Sequence, residues 1–207
     1  MTFAVEWMLD GRRMIAVPSG ELPGGTDDRD WAQQEAEALA QFHGLGGERT
    51  AAIAATLVGV RQLAGRLDGS HFLIYDINTE LVAPLRIALL DIEPTGPQRQ
   101  AFLSPPAPLA PQLRQAVNTP LGEGVSSVLL TNRPGVAEVR WMYVAAGVTL
   151  LATLAPVARQ AVMGAAAAVE DLLAELRLEG AAVAASASFD PAQIVAESLA
   201  DQPAWRS

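Results

Sequence analysis

Cysteine and lysine are both absent from this chain of 207 residues, because all 14 of its basic residues are arginine. Without cysteine there is no disulfide, no thiolate nucleophile, no Cys-ligated zinc and no iron–sulfur cluster. Without lysine there is no Schiff-base chemistry and no P-loop lysine. These two absences exclude several large classes of enzyme before any motif is considered.

Positive charge is scarce as well, since 23 acidic residues against 14 basic ones give a formal net charge of −9. Nucleic acids and anionic membranes are bound by clustered positive charge, so neither is an expected partner. The longest apolar run, residues 144–158, is interrupted by Pro156 and is shorter than the roughly 20 residues of a membrane helix. The first residues carry Glu6 and do not resemble a secretory signal, so we expect a cytoplasmic protein.

Apolar residues, by contrast, make up 50% of the chain, which is enough for a sizeable core. The length is that of one domain. We expect a single α+β domain over residues 1–178, followed over 179–207 by a loose linker and a short helix. Asp190 and Pro191 have the residue types of an N-cap and a first helical turn, so this last helix is expected to run to about Ala200.

The spacing of apolar residues separates helices from strands. Helices are predicted over 31–42 with Asp30 as N-cap, over 50–67, over 109–117, and over 157–178 with Pro156 in its first turn. Strands are predicted over 3–9 and 14–17 as a hairpin, over 71–77 and 81–92 as a pair, and over 124–131, 136–145 and 148–154 as a meander. The 148–154 strand is apolar on both faces, so helices are expected on both sides of it. The fold class is therefore predicted to be α+β, a three-layer α/β/α sandwich with a central, mostly antiparallel sheet.

The order of these elements resembles the Mog1/PsbP-like fold, in the form of its small uncharacterised actinobacterial members. The resemblance is carried by the strand Ile15-Ala16-Val17 ending in Pro18, the inserted helices over 31–67, and the closing meander and helix over 136–178. It covers most of residues 3–178 and rests on the pattern of elements. Members of that fold are mainly binding and accessory proteins, so the resemblance implies no particular activity.

Acidic side chains offer the main candidates for chemistry. Oxygen ligands that calcium or magnesium accept occur in two loops, and one strand end has the residues of an acid/base pair: Asp27, Asp28 and Asp30, then Asp76, Asn78 and Glu80, then Asp91 and Glu93. Solvated turn carboxylates explain all three groups, and an EF-hand would need glycine where Leu81 stands. No catalytic residue, metal or cofactor is therefore predicted. A metal-dependent or carboxylate-based hydrolase is the alternative function.

A ligand site is also conceivable on the 136–145 strand, where Val139, Trp141 and Tyr143 share one face by alternation. Core packing explains this face. The functional interpretation is a shallow pocket in which Trp141 and Tyr143 form a wall and Arg86 or Arg140 holds an anion.

The function predicted from these observations is binding of a protein partner, without catalysis. The partner is another protein or a second copy of the chain, because an apolar chain of this kind leaves exposed patches after one core is filled. The short helix within residues 189–205 must pack against something to be stable, and two outcomes are open: it docks on its own chain, or it packs against a second copy in a C2 homodimer.

Overall fold

The computed structural model describes residues 4–107, 109–179 and 184–200. Within these ranges nine strands and five α-helices follow one another as β1 (Ala4–Glu6), β2 (Met14–Val17), α1 (Asp28–His43), α2 (Gly47–Ala64), β3 (Ser70–Asp76), β4 (Leu81–Leu90), α3 (Gly96–Leu103), β5 (Gln112–Thr119), β6 (Gly122–Leu130), β7 (Val136–Ala145), β8 (Val148–Ala158), α4 (Arg159–Ala174), β9 (Arg177–Glu179) and α5 (Pro191–Ala200). Seven strands form one sheet in the order β2-β3-β4-β8-β7-β6-β5. Every neighbouring pair is antiparallel. The predicted α+β class with an antiparallel sheet is confirmed.

One face of the sheet packs against α4. Val139, Trp141 and Tyr143 of β7 belong to a single core cluster with the helix. The helix contributes small side chains at helical spacing, namely Ala161, Ala165 and Ala168. Trp141 and Tyr143 are completely buried in this cluster.

The opposite face carries two separate clusters. At one end of the sheet, Ile15 and Val17 of β2 pack with residues of α1 and α2. Further across the sheet, Met142 and Val144 of β7 pack with Leu103 of α3 and with residues near α5. Helical residues therefore lie on both sides of the sheet, as a three-layer arrangement requires.

The predicted hairpin of the first two strands is wrong. β1 pairs with β9 in a separate two-stranded sheet, and β2 pairs with β3 as one edge of the large sheet. Asp10 and Gly11 still lie in a turn, where the Asp10 carbonyl accepts hydrogen bonds from Arg13 N and Met14 N. That turn redirects the chain from one sheet to the other. Phe3, where the first strand was predicted to begin, lies outside the described residues.

Two helix predictions are corrected by strand pairing. Residues 112–117 of the helix predicted over 109–117 belong to the edge strand β5, which pairs with β6, and the helix of this region is α3 instead. Pro156 lies inside β8, and α4 begins only at Arg159. The pairing of β8 with β4 ends at Leu154, and the register with β7 shifts between Ala137 and Val139. Because Pro156 follows the last residue paired with β4, the missing N–H costs no bond to that strand.

Helix α1 begins two residues before the predicted N-cap. The Asp27 carboxylate, not that of Asp30, accepts hydrogen bonds from Arg29 N at 2.8 Å and Asp30 N at 2.9 Å. Asp30 lies in the first turn instead, where its negative charge interacts favourably with the helix dipole.

The C-terminal helix forms where it was predicted, with the Asp190 side chain accepting a hydrogen bond from Gln193 N. It contacts β5 and β6 of its own chain. The segment before it is held, contrary to the expectation of a loose linker, because Ala146 N donates to Ala184 O. Glu93 accepts hydrogen bonds from Ser186 Oγ and Ser188 Oγ in the same segment. Residues 180–183 of the predicted linker and Trp205 of the predicted dimer contact lie outside the described residues.

In the described ranges, none of the helices combines the length and the apolar composition needed to cross a membrane.

The end of β3 is locked to α4 by a buried carboxylate. Asp76 accepts hydrogen bonds from Asn78 N and Thr79 Oγ1, and its side chain lies directly against Gly164. A Cβ atom at position 164 would stand 2.3 Å from Asp76 Oδ1. No side chain fits there unless the carboxylate or the helix moves.

We expect Gly164→Ala to lower the free energy of unfolding by about 1–3 kcal/mol, because overpacking outweighs the gain in helix propensity. Gly59→Ala in α2 is the matched control, since a Cβ there meets nothing within 4 Å. That control is expected to raise the free energy of unfolding by up to about 1 kcal/mol. Urea denaturation measures both changes, and equal stabilisation by the two substitutions would contradict the contact.

Candidate functional site

The four residues of the predicted anion pocket lie on opposite faces of the sheet. Trp141 and Tyr143 are completely buried against α4. Arg86 pairs with Thr153, and Thr153 pairs in turn with Arg140, so both arginines are on the other face. A single pocket built from all four residues is therefore wrong.

The two arginines are held by their own chain. Arg86 donates from Nε to the carbonyl of Asp68 at 3.0 Å. Arg140 donates to Glu138 Oε1 at 2.5 Å and to the carbonyl of Phe102 at 2.7 Å. With Thr153 between them, they stand about two strand spacings, or about 10 Å, apart. This arrangement favours a role for Arg140 in fixing α3 to the sheet.

Trp141 and Tyr143 lie buried under α4, where Trp141 joins a polar network and the Tyr143 hydroxyl has no hydrogen-bond partner among the described residues. Glu170 of that helix accepts a hydrogen bond from Trp141 Nε1 at 3.2 Å and forms an ion pair with Arg114. Burial, and secondly the charge of Glu170, raise the pKa of the Tyr143 hydroxyl far above its ordinary range. The network anchors α4 and is closed to ligands, because both aromatic side chains are fully buried.

The carboxylates considered for a hydrolase are used as internal acceptors. Asp27 caps α1, and Asp28 pairs with Arg61 at 3.2 Å. Asp76 is buried in its turn, and Glu93 accepts from Gly147 N, Ser186 and Ser188. These bonds, that of Ser186 foremost, lower the pKa of Glu93. Among the residues that the structure describes, no three His, Cys, Asp or Glu side chains form a group able to hold a metal ion.

A cavity of about 660 Å³ lies between α3 and α5 over a floor that includes Leu103 and Ile194. Its basic rim residue, Arg99, donates to the carbonyl of Ser188, and its guanidinium stands 5.9 Å from the ring centroid of Phe189. The rim therefore joins two parts of the same chain.

The strand β2 is one of the two edge strands of the large sheet, and sequence reasoning missed this position. Tyr75 N donates to Arg13 O, so residues 13 and 75 form a hydrogen-bonded pair. By the alternation of an antiparallel ladder, Ile15 and Val17 also bond to β3, whereas the N–H and C=O of Ala16 point away from the sheet. Ala16 is exposed.

Two cavities flank this edge, and α1 forms a wall of both. The first, of about 600 Å³, is termed the Phe42 groove and is lined by Leu9, Asp10, Gly11, Arg12, Met14, Ile15, Ala16, Glu35, Ala38, Leu39 and Phe42. The second, of about 540 Å³, is termed the Trp31 pocket and is lined by Trp7, Ala16, Val17, Pro18, Ser19, Leu22, Trp31, Glu35, Gly69, Ser70, His71 and Phe72. Ala16 and Glu35 line both cavities, so the two lie end to end along β2.

Two polar side chains at this edge, Glu35 and His71, are poorly satisfied by the described part of the chain. Glu35 is half-buried, and no hydrogen bond or ion pair joins it to the described residues. His71 is only 4% exposed, and neither ring nitrogen makes a hydrogen bond of ordinary geometry with the described residues. Burial, and secondly the charge of Arg86, lower the pKa of His71, and the hydrogen-bonding backbone of Gly69 opposes them in part.

Part of this site was visible in the sequence. Trp31, Glu35 and Leu39 recur every four residues, which places a carboxylate between two apolar side chains on one face of the helix. The strand β2 is an edge because it pairs only with β3 in the large sheet. Nothing in its sequence indicates that it lacks a second neighbour.

Comparison with known proteins finds no matching family model, no matching curated protein and no matching solved structure. The resemblance to the Mog1/PsbP-like fold therefore stays a prediction. The functional inference rests on the geometry of the site.

We expect the free energy of unfolding to fall as the pH is lowered from about 7.5 to about 5.5. The pKa of His71 is lowered in the folded state, so the unfolded chain takes up the proton first as the pH passes below about 6.5. His71→Phe keeps a flat ring without the titration, and we expect it to show a weaker pH dependence over this range. The urea midpoint of both proteins is measured at several pH values. If the midpoint of the variant changes with pH as steeply as that of the parent, His71 is not the cause.

Proposed function

We propose that this chain is a protein-binding domain that holds an extended segment of another protein as an added strand on β2. The observation that carries the proposal is the outward-facing backbone of Ala16, set between two cavities that share Glu35. Peptide recognition by strand addition uses main-chain hydrogen bonds for affinity and pockets for alternate side chains for specificity.

The backbone groups left for a partner are few and well placed. Asp10 O already accepts from Met14 N, and Pro18 beyond the strand has no N–H to give. Ala16 retains both its N–H and its C=O, so a partner residue opposite it forms a pair of hydrogen bonds. The partner segment is thereby centred on Ala16.

Helix α1 runs beside β2 and lines both cavities. Trp31 and Leu39 are eight residues apart on the helix, or about 12 Å along its axis. The Phe42 groove contains Ile15 and Leu39, and the Trp31 pocket contains Val17 and Trp31. Partner side chains opposite Ile15 and Val17 face α1, because Ala16 and the residue opposite it face the other side of the sheet. An added strand therefore turns one side chain towards each cavity, with Glu35 between them.

A different protein suits this edge better than a second copy of the chain. Two copies paired about Ala16 would bring their Glu35 carboxylates towards each other without compensating charge, which is unfavourable. The helix α5, expected to dock either on its own chain or on a second copy, packs on β5 and β6 of its own chain. Self-association through this edge would be detected as a dimer of the free chain.

The test is a selection of random dodecapeptides displayed on phage against the intact chain, followed by binding measurements on two variants. We expect Ala16→Pro to weaken the selected peptides at least about tenfold, because it removes the outward N–H that the partner needs. Ala16→Val retains the N–H and is the matched control, with affinity close to that of the parent. Light scattering of the free chain reports any dimer.

Hydrogen exchange in the parent protein gives a second readout that does not depend on a proline variant folding. Peptide binding is expected to slow exchange of the Ala16 amide, while the amides of Ile15 and Val17 are already protected by β3. Strand addition would be overturned by peptides that bind Ala16→Pro as tightly as they bind the parent and that do not slow hydrogen exchange of the Ala16 amide in the parent. A concentration-dependent dimer that protects Ala16 by itself would assign the edge to a second copy instead.

A further inference from the structure

The Trp31 pocket combines aromatic walls with a single carboxylate. Trp31 lies one helical turn from Glu35 on α1, and Glu35 is the charged side chain among the lining residues. Trp7 and Phe72 line the cavity from the other side of β2, with ring centroids 5.4 Å apart and planes at 75°. An aromatic ring beside a carboxylate attracts organic cations through cation–π and ionic attraction together.

No ion pair joins the carboxylate of Glu35 to an arginine of the described part of the chain. Arg12, which lines the Phe42 groove together with Glu35, stands 5.0 Å from the ring centroid of Phe42. Arg61 donates to the carbonyls of Pro18 and Gly20 and pairs with Asp28. Arg86, opposite His71 on β4, donates to Asp68 O and does not line the pocket. A half-buried carboxylate without a counter-charge favours a cationic ligand.

Glu35 supplies hydrogen-bond acceptors as well as a negative charge. A guanidinium or ammonium group is rich in donors and has no acceptor. The carboxylate is therefore complementary to such a group, whereas an anion would meet repulsion from it. His71 lines the same cavity, but both of its ring nitrogens are buried, so it offers the ligand no acceptor.

We infer that the Trp31 pocket recognises an organic cation, namely the guanidinium or ammonium group of a basic side chain in the partner segment. This inference rests on the proposed strand addition and specifies the chemistry of that partner. The basic residue lies in the part of the added strand beside Val17 and Pro18.

The pocket is tested directly with small probes that need no backbone pairing. Indole N–H signals of the intact protein, assigned with Trp7→Phe and Trp31→Phe, are followed by NMR during titration with N-acetylarginine amide and N-acetyllysine amide. We expect saturable shifts at Trp7 or Trp31 with at least one of these cations. N-acetylcitrulline amide, which has nearly the shape of the arginine probe without its charge, is expected to cause none.

Two variants separate the pocket from general electrostatics. Glu35→Gln is expected to weaken the cationic probe about tenfold, because it removes the charge inside the pocket. Glu37→Gln makes the same change of net charge on an exposed part of α1, where Glu37 accepts from Gln33, and is expected to leave binding unchanged. Equal weakening by both variants, or equal binding of the citrulline probe, would overturn the inference.

The source of the cation is decided by comparing probe and peptide. A partner side chain predicts that selected dodecapeptides contain arginine or lysine and bind at least about tenfold more tightly than the free amide. Equal affinities would assign the pocket to a free small-molecule cation and overturn the peptide source. Selected peptides that protect the Ala16 amide but carry no basic residue would overturn the cation inference and leave strand addition standing.

Discussion

The alternation of side chains along β7 and β8 is the constraint on which the rest of the structure depends. Both strands lie inside the seven-stranded sheet and are buried on both faces, so each residue belongs to one core or the other. Trp141 and Tyr143 go to the α4 side, whereas Met142 and Val144 go to the α3 side. A shift of one residue would exchange these sets, which is why the register of this hairpin is strongly specified.

The two faces are covered differently, and this difference creates the candidate site. On one face a single helix, α4, contacts strands from β3 to β5 through alanine and valine side chains. On the other face α1 and α2 cover only the β2 end, and α1 borders the free edge of the sheet. The cavities beside Ala16 exist because a helix borders a strand that has no neighbour on its outer side.

Acidic side chains in this chain act largely as fixed acceptors for its own backbone and hydroxyl groups. Asp27 caps a helix, Asp76 stabilises a turn against α4, and Glu93 joins the β7–β8 turn to residues 186 and 188. A carboxylate bound in this way is positioned by structure and is poorly placed for proton transfer to a substrate. Glu35 differs, because it is half-buried, has no hydrogen bond or ion pair to the described part of the chain, and lines two cavities.

Local sequence patterns determined the fold class, the period and bounds of β7, and the N-terminus of α5, because alternation, turn residues and caps act within a few neighbouring residues. Pairing across the chain decided the rest. β1 pairs with residues 177–179, β5 is a strand only because β6 lies beside it, and Pro156 is tolerated because its strand has already passed β4. The edge position of Ala16 and the shared position of Glu35 were likewise decided only by tertiary structure, because a free backbone group is defined by the absence of a distant partner.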